Sequence, residues 1–291
     1  MKTINSISGG QTSAYIAVNY PADYNIFALV TTDDIKCKFP DAKLRQIVSD
    51  KIGKEFNGTL EEDTIIHTML DLEQFIGTKI DWVSGLSFDE QVKRYKKNGD
   101  VKIHLPSVMR RTCTVQMKIE PMFDFWRKNI NEIAETRIGF RANETRRAQN
   151  MIERANLTNG VLTFKTIIGQ SKNGNNKWLD MPYQIPRFPL IEDNIYKDTI
   201  VEFWKDKPVR FAYMNNCVGC FHRSPIVLKH MSVRHPNKFQ WFVDTEIKGM
   251  KDFNSNAWKE GLTYAQIQKS LKQLDLFDTD FNECDSGYCG L

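Results

Sequence analysis

Residues Thr3 to Asn19 read TINSISGGQTSAYIAVN. Thr3 to Ser8 has the character of a short strand, Gly9-Gly10 turns the chain, and Thr12 to Asn19 continues with Ala, Ile and Val at helical spacing. A strand, a glycine turn and a helix in that order form the recurring unit of α/β proteins. In Ser8-Gly9-Gly10-Gln11-Thr12-Ser13 the glycines let the backbone approach an anion closely. The hydroxyls and the free amides of the following helix N-terminus can then bind phosphate oxygens. The loop lacks the lysine and the longer spacing of a Walker loop, so a metal-bound P-loop nucleotide is not expected. A plain turn with Thr12 or Ser13 capping the helix is the alternative. The position straight after the first strand favours phosphate.

Beyond this unit the pattern alternates. Tyr24 to Thr32 reads as a second strand, Asp41 to Phe56 and Glu61 to Phe75 as helices, Lys79 to Val83 as a strand and Phe88 to Lys97 as a charged helix. Val115 to Lys128 reads as a helix, Glu135 to Phe140 as a strand ending at Arg141, and Glu144 to Arg154 as a helix. Such alternation predicts a Rossmann-like parallel sheet covered on both faces. Val161 to Ile168 and Trp178 to Ile185 read as two strands around a polar Gly/Asn turn, hence a hairpin insertion. After Pro189 the pattern is mostly helical apart from the turn at Cys217 to Cys220. The expected division is a nucleotide-binding core over residues 1–156, the hairpin and return to the core over 157–190, and a helical, cysteine-bearing region over 191–291.

With 291 residues, 41% hydrophobic and 11% aromatic, the chain can bury a substantial core, which excludes a disordered protein. No stretch approaches the roughly 20 apolar residues of a membrane span, so a protein with no membrane association is expected. The net charge of +4 points to anionic ligands in local pockets rather than to a wholly basic surface. Six cysteines are too few for a disulfide scaffold, and Cys217-Val-Gly-Cys220 suits a metal or redox site in a reducing compartment, hence the cytoplasm. Trp126, Trp204, Trp241 and Trp258 fall in helical patterns and are expected in the core or an interface.

The SGGxxS loop resembles that of the adenine-nucleotide α-hydrolases, the N-type ATP pyrophosphatases together with the phosphoadenosine phosphosulfate (PAPS) reductases. Further stretches are similar to the PAPS-reductase branch in the same order. Asp34, Phe39 and Pro40 align with a DTGxxFPET segment, although its Gly and Thr are missing here. Arg111 to Pro121, with Cys113 and Lys118, is similar to the branch's cysteine and lysine segment, Gly139 to Arg147 to its GxRxxESxRR segment, and Arg187 to Ile191 to the stretch before its next helix. The resemblance spans roughly residues 4 to 225. It implies an adenosine nucleotide, ATP with Mg²⁺ or PAPS or its unphosphorylated analogue APS, held by Ser8 to Ser13 with Asp34, Arg111 and Arg146. It also implies catalytic roles for Arg141 and Lys118.

Arginine offers a planar fork for phosphate or sulfate, and Arg141 stands where a strand becomes a loop, the place where an α/β sheet receives an anion. Arg110, Arg111 and Lys118 surround Cys113 in sequence, while Arg146 and Arg147 lie in the helix beyond. For Arg147 alone a solvated helix face is the simpler reading. Glu144 would orient these arginines or help hold a metal ion.

The two-residue gap between Cys217 and Cys220, with Gly219 in the turn, lets both thiolates reach one metal ion. Cys284 and Cys289 form a second pair, and the two pairs would complete a zinc site. The competing cofactor is an iron-sulfur cluster on Cys113, Cys217, Cys220 and one tail cysteine. The resemblance favours iron, since APS reductases use a Cys-Cys pair where this chain has Thr112-Cys113, followed by a later CxxC. Cys289-Gly290-Leu291 also resembles the end of the PAPS-reductase tail, whose cysteine attacks sulfur, so Cys289 is a candidate nucleophile as well as a ligand. Cys37 is expected to be structural, and His222 is the histidine nearest the CxxC turn.

These residues support three functions. The first is an ATP pyrophosphatase-type enzyme that adenylates an acceptor oxygen and couples this to sulfur transfer, with tRNA, DNA or a small molecule as acceptor and a sulfur-donor protein as a further partner. The second is sulfonucleotide reduction with release of sulfite. The third is a non-catalytic nucleotide-binding subunit of a nucleic-acid modification system.

Overall fold

A computed structural model describes residues 1–96, 98–253 and 257–271. The chain runs β1 (Thr3–Ile7), α1 (Gln11–Asn19), β2 (Tyr24–Ala28), α2 (Ala42–Ile52), α3 (Thr64–Ile76), β3 (Asp81–Val83), α4 (Phe88–Gln91), β4 (Lys93–Tyr95) and β5 (Val101–Ile103). A helical stretch follows in three pieces: α5 (Thr112–Thr114), a π-turn (Val115–Ile119) and α6 (Glu120–Asn129). Then come β6 (Ala134–Arg137), α7 (Thr145–Asn156), β7 (Leu162–Gln170), β8 (Asn176–Arg187), α8 (Pro189–Glu192), α9 (Lys197–Trp204), α10 (Pro225–Arg234), α11 (Pro236–Asp252) and α12 (Tyr264–Lys269).

Six strands form one sheet in the order β3-β2-β1-β6-β8-β7, parallel throughout except for β7, which runs antiparallel to β8 at the edge. This is the expected Rossmann-like α/β architecture, with the hairpin of β7 and β8 attached and a mostly helical part after Pro189. The chain winds outward from β1 through β2 to β3, then returns to the other side of β1 with β6. The loops leaving β1 and β6 therefore diverge from neighbouring strands, and such a switch point opens a crevice at the carboxyl edge of the sheet.

Three buried clusters hold the layers together. Ile16, Phe27, Ile65, Met69 and Trp204 pack α1, α3 and α9 on one face of the sheet. Ile26, Phe123, Trp126, Met151 and Tyr183 pack α6 and α7 on the other. The third joins the carboxyl-edge loops, through Val30, Leu60, Phe88 and Met117, to Val218, Phe221, Phe239, Trp241, Phe242, Trp258 and Tyr264 of the C-terminal part. Burying these aromatic faces sets the C-terminal helices over the crevice. The four tryptophans expected in the core are all buried. Among the described residues no helix is long and apolar enough to cross a membrane.

One element differs from expectation. Phe88 to Lys97 is helical only to Gln91, after which β4 pairs antiparallel with β5. The turn between them uses Gly99 at φ +88°, and Lys96 N–H donates to the Asp100 carbonyl at 2.8 Å. A glycine free to enter the left-handed region closes a hairpin that the charged periodicity conceals.

Candidate functional site

The phosphate loop sits at the carboxyl end of β1. Gly10 is the N-cap of α1, extended at φ −99° and ψ 156°, and offers no side chain to the first-turn amides. Those donors face the crevice of a helix start, the usual seat of a bound anion. Ser13 Oγ accepts from Ser8 N–H at 2.9 Å and lies 2.9 Å from Ser8 Oγ. It is also placed to donate to the Ser8 and Gly10 carbonyls, both at 3.1 Å. The two serine hydroxyls thus shape the loop from within, leaving the backbone amides of the helix start as the groups that could receive an anion. Thr12 is buried, whereas Gln11 is half-buried with its carbonyl accepting from Trp204 Nε1–H at 3.0 Å.

A Cβ added at Gly9 would lie 2.7 Å from two carbons of Ile65, itself 1% exposed. Gly9→Ala is therefore expected to push the loop off α3 and lower stability by about 1–3 kcal/mol. Denaturant unfolding checks this.

The loop after β6 packs against the phosphate loop: a Cβ at Gly139 would lie 3.4 Å from Thr12 Cγ2 and 3.7 Å from Ser13 N. Two residues on, Arg141 is 5% exposed. Glu144 accepts from both its N–H and its Nε–H at 3.0 Å, and from Arg147 Nη1–H at 2.5 Å. The Arg147 guanidinium lies 4.4 Å from the Phe140 ring centroid. Of the two roles for Glu144, the contacts are those of an arginine orienter, and Arg147 is a packed partner rather than a merely solvated one. Arg146 is exposed on α7. Asp34 accepts from Lys36 N–H at 2.7 Å and so caps the 3₁₀ turn Ile35–Cys37. Arg111 is half-buried beside Cys113, its Nε–H 3.5 Å from the Val108 carbonyl.

Two adjoining cavities lie under the C-terminal helices. One is lined by Ser8 and Gly9 of the loop, Phe27 and Ala28 of β2, Glu61, Thr114, Lys118 and Asn215. The other is lined by Cys113, Cys217, Cys220, His222, Phe88 and Phe242, and again by Thr114 and Lys118. Arg141, Asp34 and Arg111 line neither. Lys118 stands between the two because it sits in the π-turn, a widened helical turn that recurs at functional sites. Its Nζ donates to Glu61 Oε1 at 2.9 Å, and the Glu61 side chain is 2% exposed. Burial pulls the proton affinity of Lys118 down, but the charge and hydrogen bond of Glu61 outweigh this and hold it above the ordinary lysine value. Lys118 is a fixed cation.

The cysteine turn is pinned from several sides. Val218 N–H donates to the Leu60 carbonyl at 2.8 Å and Tyr264 Oη–H to the Gly219 carbonyl at 3.0 Å. Lys259 Nζ donates to the Phe221 and Arg223 carbonyls at 2.9 and 3.0 Å. Burial pushes all three thiols upward, Cys113 to about 11, and Glu61 adds to the effect at Cys217. His222 Nε2 is buried without a hydrogen-bond partner, and burial, followed by the charges of Arg111, Lys259 and Arg223, pushes the imidazole down to about 4. Cys37 is buried apart from this group. Cys284 and Cys289 lie outside the described residues. Among the described residues no three His, Cys, Asp or Glu side chains converge as a metal-binding group, so the three cysteines share a cavity without forming a closed ligand set.

Glu61, Thr114 and Asn215 are site residues that the sequence did not single out. Glu61-Glu62-Asp63 precedes α3, and acids at a helix start are ordinarily a solvated, dipole-favoured feature. Here each meets a basic partner: Glu61 meets Lys118, Glu62 meets Arg234 Nε at 3.6 Å with His235 Nε2 3.0 Å away, and Asp63 meets Lys238 Nζ at 2.7 Å. Comparison with known proteins gave no significant match to any family model, curated protein or solved structure.

Proposed function

We propose that this chain is an adenosine-phosphate enzyme of the PAPS-reductase type within the adenine-nucleotide α-hydrolases. In this reading it cuts ATP between the α and β phosphates and couples the adenylation to sulfur transfer. The observation that carries it is the position of Lys118, which lines both the phosphate-loop cavity and the cysteine cavity. A cation held between an anion cradle and a group of thiols suits a reaction in which phosphate leaves on one side and sulfur arrives on the other.

The helix amides hold the pyrophosphate portion, and Mg²⁺ on the nucleotide's own phosphates belongs to the substrate. An acceptor oxygen attacks the α phosphorus, forming the new P–O bond. The bond to the bridging oxygen breaks, and its electron pair leaves with pyrophosphate. Lys118 neutralises charge that builds on the α-phosphate oxygens, and Arg141, fixed by Glu144, adds positive potential from the flank. A sulfur nucleophile then displaces AMP from the adenylated acceptor.

The chemistry of the donor set fits a metal-sulfur centre, iron-sulfur before zinc. Cys113, Cys217 and Cys220 would hold it, with Cys284 or Cys289 as a fourth ligand, and when bound it would supply or position sulfur. A second reading, sulfonucleotide reduction, draws on the same nearness of thiols to the nucleotide cavity and gives Cys289 the nucleophilic role.

The test is anaerobic purification with a visible spectrum and metal analysis, followed by assays of AMP and pyrophosphate from Mg²⁺-ATP and of sulfite from PAPS. AMP with equimolar pyrophosphate is the expected result. Sulfite from PAPS without AMP from ATP would replace the first reading with the second, and neither product would sink both. A colourless protein with one zinc would remove the iron-sulfur assignment.

A further inference from the structure

One of the stretches of net positive charge lies away from the cavities described above. Residues 145–187 carry seven basic side chains against two acidic ones, Glu153 and Asp180, a surplus larger than the +4 of the whole chain. This basic segment is α7 and the hairpin of β7 and β8, which pack on each other. The helix turns Ala148, Met151 and Ala155 inward and leaves Arg146 and Arg154 exposed. It starts four residues after Arg141, at the carboxyl edge of the sheet, and its twelve residues cover about 18 Å towards the hairpin.

The base of the hairpin is anchored, with Phe164 4.6 Å from the Phe123 ring. Its outer half stands in solvent. Trp178 is 55% exposed and sits in register with Ile167, and Lys165 Nζ lies 5.8 Å from its ring. Lys172 and Lys177 are exposed around the turn. An open indole with Lys165 over its ring and Lys172 and Lys177 exposed towards the turn favours a partner that offers both aromatic faces and regularly spaced anions. Single-stranded nucleic acid offers both, because any base can stack on the indole while the phosphates pair with lysine and arginine.

We propose that α7 and the hairpin form a docking surface for a single-stranded polynucleotide. Bases stack on Trp178, phosphates lie along Lys165, Lys172 and Lys177, and Arg154 and Arg146 lead the strand towards the crevice. The surface stands independently of the reading of the nucleotide site, since it requires no turnover.

The test uses the full chain and fluorescein-labelled 20-nucleotide oligo-dT and oligo-U, followed by anisotropy over a salt series. Binding of either oligomer is expected, and a preference between them identifies DNA or RNA as the natural class. Trp178→Ala is expected to weaken Kd at least about fivefold, the lower end for losing one stacked base. The triple variant Lys165→Gln, Lys172→Gln, Lys177→Gln is expected to flatten the slope of log K against log salt by about two, at about 0.7 for each phosphate no longer neutralised. An unchanged thermal unfolding midpoint verifies that both variants are folded. Absence of binding at low salt, or equal binding by the variants, overturns the proposal. So does sedimentation showing self-association that Trp178→Ala abolishes while oligonucleotide binding is unaffected, which would make the hairpin an interface between copies of the chain.

Discussion

Lys118→Met is expected to lower AMP formation by about two to three orders of magnitude, the scale of losing one fixed donor to a developing oxyanion. It is also expected to destabilise the fold by about 3–5 kcal/mol, because Glu61 would remain buried with its cationic partner removed. Lys118 is only 22% exposed at its side chain and Glu61 2%, so water does little to replace the pair. The two consequences separate in the double variant Glu61→Leu, Lys118→Met. Removing both charges leaves no buried ion alone, so most of the stability should return while turnover stays lost. Denaturant unfolding and AMP production on the three proteins check this. Turnover within a few-fold of the parent in Lys118→Met would remove the lysine from the chemistry and leave the pair a structural tie between the π-turn and the start of α3.

The parts of this molecule that can be read from sequence are those whose signal is local. β1, the glycine turn and α1 are legible because strand and helix periodicities meet at two glycines, and the β7–β8 hairpin because two β-rich runs flank a Gly/Asn turn. Boundaries shift where the backbone finds other partners. β2 ends at Ala28 rather than Thr32, because Thr32 N–H bonds to the Gly58 carbonyl instead of continuing the sheet. The adjacency of Cys113 to Cys217 and Cys220, more than a hundred residues later, is a product of the aromatic core that seats the C-terminal helices. The resemblance groups these cysteines, but spacing alone does not. Glu61 is hidden for the opposite reason. Three consecutive acids look solvated, and only the partners delivered by the π-turn, α10 and α11 reveal that the first two, Glu61 and Glu62, are buried. Trp178 reads only as a strand residue, since exposure is invisible in a period-two pattern of nine and twelve residues that outruns the core.

The π-turn itself has no sequence signature, yet one glycine makes a sharp statement about it. A Cβ built at Gly85 would lie 2.1 Å from the Gln116 carbonyl oxygen and 3.1 Å from Met117 Cα. Both are backbone atoms, so no side-chain rotation relieves the overlap, and the widened turn must move as a body. Gly85→Ala is therefore expected to cost about 3 kcal/mol or more in denaturant unfolding, the upper range for overpacking. It should also displace Lys118, two residues beyond Gln116, and a shift on the order of 1 Å at a catalytic cation lowers turnover by about a hundredfold. Gly53→Ala is the control. Gly53 caps α2 at φ +68° with open space around its Cβ position, so alanine there meets only backbone strain of about 1 kcal/mol and leaves Lys118 where it is. A large loss of AMP formation at Gly85 with none at Gly53, measured where both variants remain folded, would tie catalysis to the geometry of the π-turn. Equal activity in the two would mean that Lys118 reaches its place without it, and that the close approach at Gly85 serves packing alone.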